Sequence, residues 1–398
     1  MGRLLGRLPD GVRDLLPAQA KRKRQLEQSF AKLVERWGYQ EVVTPTFEYF
    51  VNLAPGDDTD DKLYKFLDRQ GHLMAMRPDM TRPIARLVAT GMRGATHPLR
   101  LYYLSHAFNY EEPLLGRQRE IFQAGVEILG ADGPAADAEA VALAVEAMQS
   151  CGLQDFRLSL GHVGIFHGLM TTFNLPPEQV EALQDAVGNK DFVRLQELLA
   201  ATTLPVAEQK RLTRLLSLRG GPEVLDQAAE ILDSAETLQA LENLRQVYQT
   251  LANYGVQQQV TIDLGLLLKL DYYTGVVFEG YTLALGSPLC GGGRYDQLVS
   301  QFGTDLPATG FALSIDQLLT ALEKQQGPAL ESTADVLVAW EQNYLDVAVK
   351  RVQELRAQGL TVVLELAAGD LATTQQQLTQ RVPKVLFIDG NGWHEFNS

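Results

Sequence analysis

The sequence predicts an α+β protein: a mainly antiparallel sheet with flanking helices and a helical insertion, followed by a small α/β unit. Three observations predict it. Two strand-like stretches, 99–109 and 122–129, are separated by a polar loop, which suits an antiparallel pair with a long connection. Helix-type periodicity runs almost unbroken through 164–255. A polar stretch, 323–333, carries Gly327 and Pro328 and sets off a final strand–helix–strand segment. The expected organisation is a core of 1–322 with its insertion at about 164–255, a linker at 323–333, and an appended unit at 334–398.

The elements follow in order. Leu26, Phe30, Leu33, Val34 and Trp37 recur at three- and four-residue spacing, so a helix should begin near Pro17 and end before Gly38. Residues 39–44 form a β-rich run that Pro45 stops. Beyond residue 50 a loop is expected, then a short strand pair at 63–67 and 73–76, then a helix over 81–94. Alanine-rich 135–148 reads as a helix. Phe156, Leu158 and Leu160 alternate with polar residues, as in a half-buried strand. Strand signals return at 260–264 and 272–283. Gly291-Gly292-Gly293 reads as a turn, and 310–322 as a strand running into a helix. In the final unit, strands are expected at 336–340, 361–366 and 385–388, with a helix over 344–358.

Composition bounds the function. Of 398 residues, 45% are hydrophobic and 21% charged, a globular balance. No apolar run is long enough for a membrane span, and the first residues lack a secretory apolar region. With only Cys151 and Cys290, a disulfide scaffold and a four-cysteine zinc site are excluded, and a reducing cytoplasm is expected. The net charge of −14 argues against bulk nucleic-acid binding. The basic run Lys21-Arg22-Lys23-Arg24 reads as a solvated helix face. His162 and His167 stand five apart without nearby cysteines, a poor zinc signal. No metal or cofactor is expected.

Four clusters could carry chemistry. Arg77-Pro78-Asp79-Met80-Thr81-Arg82 could be a turn with a local salt bridge or part of a site. The second runs from Ala107 through Asn109, Tyr110, Glu111 and Glu112 to Gln123 and Glu127. Gln123 and Glu127 are four apart in an otherwise apolar strand, so both point to one face, as a pocket lining or a structural network. The third is Leu270-Asp271-Tyr272-Tyr273-Thr274. The fourth, Gly291-Gly292-Gly293-Arg294-Tyr295-Asp296, implies close backbone approach or a positive-φ turn, but no Walker loop, since the Lys-Ser/Thr ending is absent.

Together these clusters resemble the catalytic domain of histidyl-tRNA synthetase, a class II aminoacyl-tRNA synthetase. The resemblance runs from residue 8 to about 322. LPDGVRDLLP looks like that family's opening, and the helix and strand ending at Pro45 like motif 1, a dimer interface there. RPDMT resembles RPEGT. FNYEEP with GRQREIFQAGVEILG resembles motif 2, LDYYTGVVFE and CGGGRYDQLV the two histidine-specific motifs, and GFALSIDQLL motif 3. By that resemblance Asp79, Thr81, Gln123, Glu127, Tyr272 and Tyr273 line a histidine pocket. Their acceptors and hydroxyls suit an ammonium and imidazole N–H groups.

The departures bear on activity. Where the family carries phosphate-holding or catalytic arginines, this chain has Asn109, Leu268 and Gln317, the last in the pair Asp316-Gln317. Losing one placed donor can cost on the order of 3 kcal/mol of transition-state stabilisation, so losing three cations should abolish adenylate synthesis. Residues 331–398 resemble a shortened anticodon-binding domain. They hold five Lys/Arg against nine Asp/Glu, a net of −4 where an RNA-gripping domain should be basic. A synthetase-like chain without these arginines resembles the regulatory subunits of ATP phosphoribosyltransferase. That resemblance implies a non-catalytic homodimer core in a hetero-oligomer with a short-form catalytic subunit, histidine as effector, and no tRNA or membrane partner. The alternatives are a divergent synthetase using Arg117 or Arg119, or a synthetase-like RNA sensor.

Overall fold

The computed structural model describes residues 5–54, 63–110, 118–268, 272–327, 334–378 and 382–397. The chain divides into two compact units, Met1–Asp14 with Ala20–Gly327, and Leu15–Gln19 with Pro328–Ser398.

The larger unit opens with all but the first three residues of α1 (Pro17–Arg36), then β1 (Gln40–Glu41), β2 (Phe47–Tyr49), α2 (Phe50–Leu53), β3 (Lys65–Leu67), β4 (Leu73–Met76) and α3 (Thr81–Gly91). It continues through the long pair β5 (Leu99–Phe108) and β6 (Glu120–Leu129), then α4 (Pro134–Ser150) and β7 (Arg157–His162). Next come α5 (Val163–Phe173), α6 (Pro177–Gly188), α7 (Phe192–Ala200), α8 (Val206–Leu216), β8 (Arg219–Gly220), α9 (Glu223–Ala229) and α10 (Ala235–Asn253). The unit closes with β9 (Val260–Asp263), β10 (Val276–Tyr281), β11 (Cys290–Arg294), β12 (Ala308–Ser314) and α11 (Ile315–Gln326). A nine-stranded sheet runs in the order β1-β5-β6-β12-β11-β10-β7-β9-β8. Its pairs are antiparallel except β1 with β5 and β7 with β9. A separate small sheet has the order β2-β4-β3.

The core explains the placement of α4. A helix apolar all round belongs inside, and Ala138, Ala140, Val141, Leu143, Ala144, Val145, Ala147 and Met148 are all buried. They share one apolar cluster with Phe30 and Leu33 of α1, and with Val126, Phe278, Phe311 and Leu313 of the sheet. That cluster covers one sheet face. A second cluster joins Met80, Ile84 and Val88 with Leu101, Tyr103 and Tyr295.

Two expectations change. The run Gly291-Gly292-Gly293 is not a turn but lies in β11, inside the sheet. None of the three has a positive φ; Gly292 and Gly293 answer to close approach. A Cβ on Gly292 would fall 2.3 Å from Gly310 O, and one on Gly293 2.4 Å from Val276 O. The insertion at 164–255 is helical as expected, apart from the two-residue β8, which pairs with β9. The first residues of the expected linker continue α11 to Gln326. Glu, Lys and Gln are good helix formers, and Gly327, at φ 82°, ends the helix. Residues 328–333 fall outside the described residues.

In the smaller unit β13 (Val336–Trp340), α12 (Leu345–Ala357) and β14 (Val362–Leu364) form a parallel βαβ turn. Then α13 (Leu371–Leu378) leads to β15 (Lys384–Asp389) and β16 (Gly392–Asn397), giving the order β14-β13-β15-β16. Periodicity does not reveal α13, which is polar, or β16, which pairs antiparallel with β15.

Candidate functional site

The strand register places the site. Tyr103, Gly125, Ala312, Gly291 and Glu279 lie in one row across β5, β6, β12, β11 and β10. Two residues along, Leu101, Glu127, Gly310, Gly293 and Val277 form a second row. Residues two apart share a face, so both rows lie on the face opposite Val126 and Phe311. The centre of this face is mostly glycine and alanine, which leaves a floor low enough for other groups to lie on it.

Glu127 rises from that floor and is 1% exposed. Its carboxylate accepts from Thr81 Oγ1 at 3.0 Å and from the Tyr295 hydroxyl in a short contact. Burial is the main cause that pushes it up to about 8; Asp79 adds to this, while Tyr295 and Thr81 pull it back. Gly310 makes room for it, because a Cβ there would fall 2.0 Å from Glu127 Oε2 and 2.3 Å from Val126 O. Gly310→Ala should therefore destabilise by about 1–3 kcal/mol, the usual cost of overpacking. Thermal unfolding checks this, and an unchanged Tm would mean the strands can part.

Asp79 stands just before α3, and its Oδ1 accepts from Arg82 N at 3.1 Å. It thus satisfies one free N–H of the first turn from a position before the N-cap, Met80, while burial pushes its carboxyl up. Thr81 is the first residue of α3, so this tie also steadies the hydroxyl that reaches Glu127. Arg77 makes no local salt bridge with Asp79, contrary to the turn reading. Its guanidinium donates to Thr44 O at 2.8 Å, Pro45 O at 3.0 Å, His106 O at 2.7 Å and the Ser105 hydroxyl. A buried guanidinium with five donors needs this many acceptors. It ties the chain after β1 to β5 and so steadies the backbone that carries Asp79.

Tyr272 and Tyr273 stack obliquely, with centroids 4.9 Å apart, and Tyr272 meets Tyr295 edge-on at 5.8 Å. Burial raises both hydroxyls, with Asp79 and Glu127 adding to it. Gln123 lies two residues from Gly125 on the site face, and its Oε1 is buried with no hydrogen-bond partner. Asp79, Thr81, Glu127, Tyr272 and Tyr273 thus converge, and Gln123 stands on the same face. Leu270, Asp271, Glu111, Glu112 and Arg117 fall outside the described residues.

Two members of the site are not evident from sequence. Tyr295 belongs to the cluster that follows the three glycines, yet nothing in its spacing shows that it reaches Glu127. Tyr103 lies over Gly125, where a Cβ would fall 2.3 Å from its hydroxyl. Only the register of β5 on β6 reveals that pairing. Arg294 is structural: it meets Asp137 at 3.0 Å and Asp296 at 3.0 Å. His162 serves as the N-cap of α5, accepting from Gly164 N at 3.1 Å, and burial pushes it down to about 4. Among the described residues no group of three metal-ligating side chains stands together.

The three residues that the resemblance sets against arginines stand as follows. Asn109 Nδ2 donates to Pro78 O at 3.1 Å, Gln317 Oε1 accepts from Ser287 Oγ at 3.0 Å, and Leu268 packs on the core. Beside Gln317, Asp316 accepts from Arg13 Nη2 at 2.9 Å and from Phe122 N at 2.7 Å.

A family profile described as histidyl-tRNA synthetase matches residues 11–318. An ATP phosphoribosyltransferase regulatory subunit of Desulforamulus reducens is 57% identical over 391 residues, which is 98% of each chain. Its counterpart from Moorella thermoacetica is 46% identical over 97% of this chain and 98% of its own. A solved structure from Bacillus halodurans, described as an ATP phosphoribosyltransferase regulatory subunit/histidyl-tRNA synthetase, is 34% identical. It superposes with a TM-score of 0.84 over 94% of this chain and 96% of its own. A histidyl-tRNA synthetase from Nostoc shares the fold, with a TM-score of 0.83 at 21% identity over 98% of this chain and 97% of its own. The chain belongs to the family of ATP phosphoribosyltransferase regulatory subunits, built on the histidyl-tRNA synthetase fold.

Proposed function

We propose that the pocket around Glu127 is a histidine effector site through which this chain controls a short-form ATP phosphoribosyltransferase catalytic subunit. The regulatory, non-catalytic role in histidine biosynthesis follows from the family. The effector assignment rests above all on Glu127, a buried carboxylate oriented by Thr81 and Tyr295 over a glycine floor. Such a group is costly to bury and suits a ligand that brings N–H donors. Asn109, Leu268 and Gln317 supply no positive charge where adenylation would need it, which fits binding without chemistry.

The regulation is linkage. Histidine must bind one quaternary state more tightly than another, and then it biases the partner by that difference. The test mixes the chain with the catalytic subunit and follows phosphoribosyl-ATP formation with and without histidine. Activity should depend on the mixture and fall with histidine. In Glu127→Ala the histidine concentration for half inhibition should rise at least tenfold, since a hydrogen bond to a charged group contributes about 1.5–3 kcal/mol. Unchanged inhibition would move the effector site elsewhere. Histidine-dependent exchange of pyrophosphate into ATP would instead establish a synthetase.

A homodimer is part of the proposal. Phe47, Tyr49, Phe66, Leu67 and Leu73 of the small sheet are exposed, with Leu67 at 68% and Phe47 at 53%. An apolar patch of this kind supports self-association, and sedimentation should give about twice the chain mass. No helix among the described residues is long and apolar enough to cross a membrane. Both cysteines are free and buried, which supports a cytoplasmic setting. The acidic final unit supports a role without tRNA.

A further inference from the structure

We propose that Glu48 is a positioning residue that couples the effector pocket to the outer side of the small sheet, so that histidine binding and self-association strengthen each other. This deepens the effector and homodimer readings and rests on them.

The strand β2 has two sides. Side chains alternate along it, so Phe47 and Tyr49 point outward, 53% and 49% exposed, while Glu48 points inward, 6% exposed. Phe66 of β3 joins the outer side, edge-on to Phe47 at 5.7 Å. On the inner side both Glu48 oxygens accept from Arg86 of α3, at 2.6 Å from Nε and 2.8 Å from Nη2. Asn52 of α2 adds a donor at 3.3 Å. A two-pronged guanidinium contact fixes direction as well as distance, so β2 and α3 either move together or lose the pair. Losing it would leave a buried carboxylate without its counter-charge, which is costly.

The helix α3 carries the other end of the connection. Its first residue, Thr81, donates to Glu127, and Asp79 just before it accepts from Arg82 N. Arg86 stands little more than one turn further along the same helix. Met80, Ile84 and Val88 pack with Tyr103 and Tyr295 beside the pocket. A second tie runs from the segment before Asp79: Arg77 N donates to Thr46 O at 3.1 Å, next to the start of β2, and the Arg77 side chain holds Thr44 O and Pro45 O. A second copy that covers Phe47 and Tyr49 holds β2. Through Glu48 it then holds the helix that sets Thr81. A pocket ordered in advance costs its ligand less ordering, so association should favour histidine and histidine should favour association equally.

Sedimentation equilibrium of the full chain, over a dilution series with and without saturating L-histidine, tests this. Histidine should tighten self-association at least fivefold, the lower end of ordinary coupling between sites. In Glu48→Gln that factor should fall to under a third of its unaltered value; a smaller fall would overturn the assignment to Glu48. Should that chain fail to fold, Arg86→Lys, which keeps the charge without the two-pronged contact, is read in the same way. Phe47→Glu, on the exposed side, should sediment as single copies and bind histidine at least fivefold more weakly in calorimetry. Pairing that survives Phe47→Glu would overturn the inference, because another surface would then be the interface. Histidine binding that differs less than fivefold between single and paired copies would overturn it and leave the effector site standing. Absence of any histidine binding that Glu127→Gln weakens would overturn both.

Discussion

Asp137→Ala should lower the unfolding free energy by about 3–5 kcal/mol, because it leaves the buried Arg294 guanidinium without its main counter-charge. Asp137 is 1% exposed, and both of its oxygens accept from Arg294 Nε, at 3.0 and 3.1 Å. Arg294 also donates to Asp296 at 3.0 Å, to Ala131 O at 3.3 Å and to Gly133 O at 3.2 Å. The cluster thus clamps the end of β11 to the start of α4. Removing Asp137 breaks the clamp and strands a charge that burial has already stripped of water. Urea unfolding measures the loss. The double substitution Asp137→Leu with Arg294→Met should recover most of it, since apolar replacement of a whole buried pair is often neutral. A single-variant loss below about 1 kcal/mol would show that water reaches Arg294.

The second large effect concerns pH. Burial pushes Glu127 from an ordinary 4.5 up to about 8. Between those values the folded protein holds a proton that the unfolded chain releases. Raising the pH across this window therefore favours unfolding, and the penalty is complete only above about 8. A tenfold tighter hold on a proton corresponds to about 1.4 kcal/mol, so several kcal/mol are at stake. Asp79, also raised, acts in the same direction. Glu127→Gln removes the largest contribution. Its Tm should change less between pH 5.5 and 8.5 than that of the unaltered chain, and at pH 8.5 it should be the more stable of the two. Parallel Tm profiles for the two proteins would show that Glu127 is ionised in the folded state at neutral pH. A ligand cation beside Glu127 offsets the same penalty, so histidine should raise the Tm more at pH 8.5 than at pH 5.5.

Much of the site was legible because it rests on short-range pattern. Gln123 and Glu127 sit four apart in an apolar strand, and the two-residue side-chain period of a strand puts them on one face whatever packs around it. Asp79 and Thr81 stand at the start of a helix whose periodicity is plain. The family resemblance supplied the assignment to histidine, which no spacing could carry.

Other residues could not be placed this way. Tyr103 and Gly125 are 22 positions apart, and the Tyr295 hydroxyl meets a carboxylate on another strand. Arg77 resembles one half of a local ion pair, yet its acceptors come from a different stretch of chain. Three consecutive glycines carry the strongest local signal for a turn, and the same lack of a side chain lets β11 lie between close neighbours.

The sequence by itself determined the α+β class, the type of most elements, the even spacing of Gln123 and Glu127, and the identity of Asn109, Leu268 and Gln317, none of which carries a positive charge. These follow from residue identity and from periods of two and 3.6, which are local properties. Only the tertiary structure decided that the glycine run is a strand, that Tyr295 and Thr81 hold Glu127, and that Arg294 is a clamp. Those outcomes depend on which strands become neighbours and in what register. That is set by burial of the whole apolar set at once, and no single segment records it.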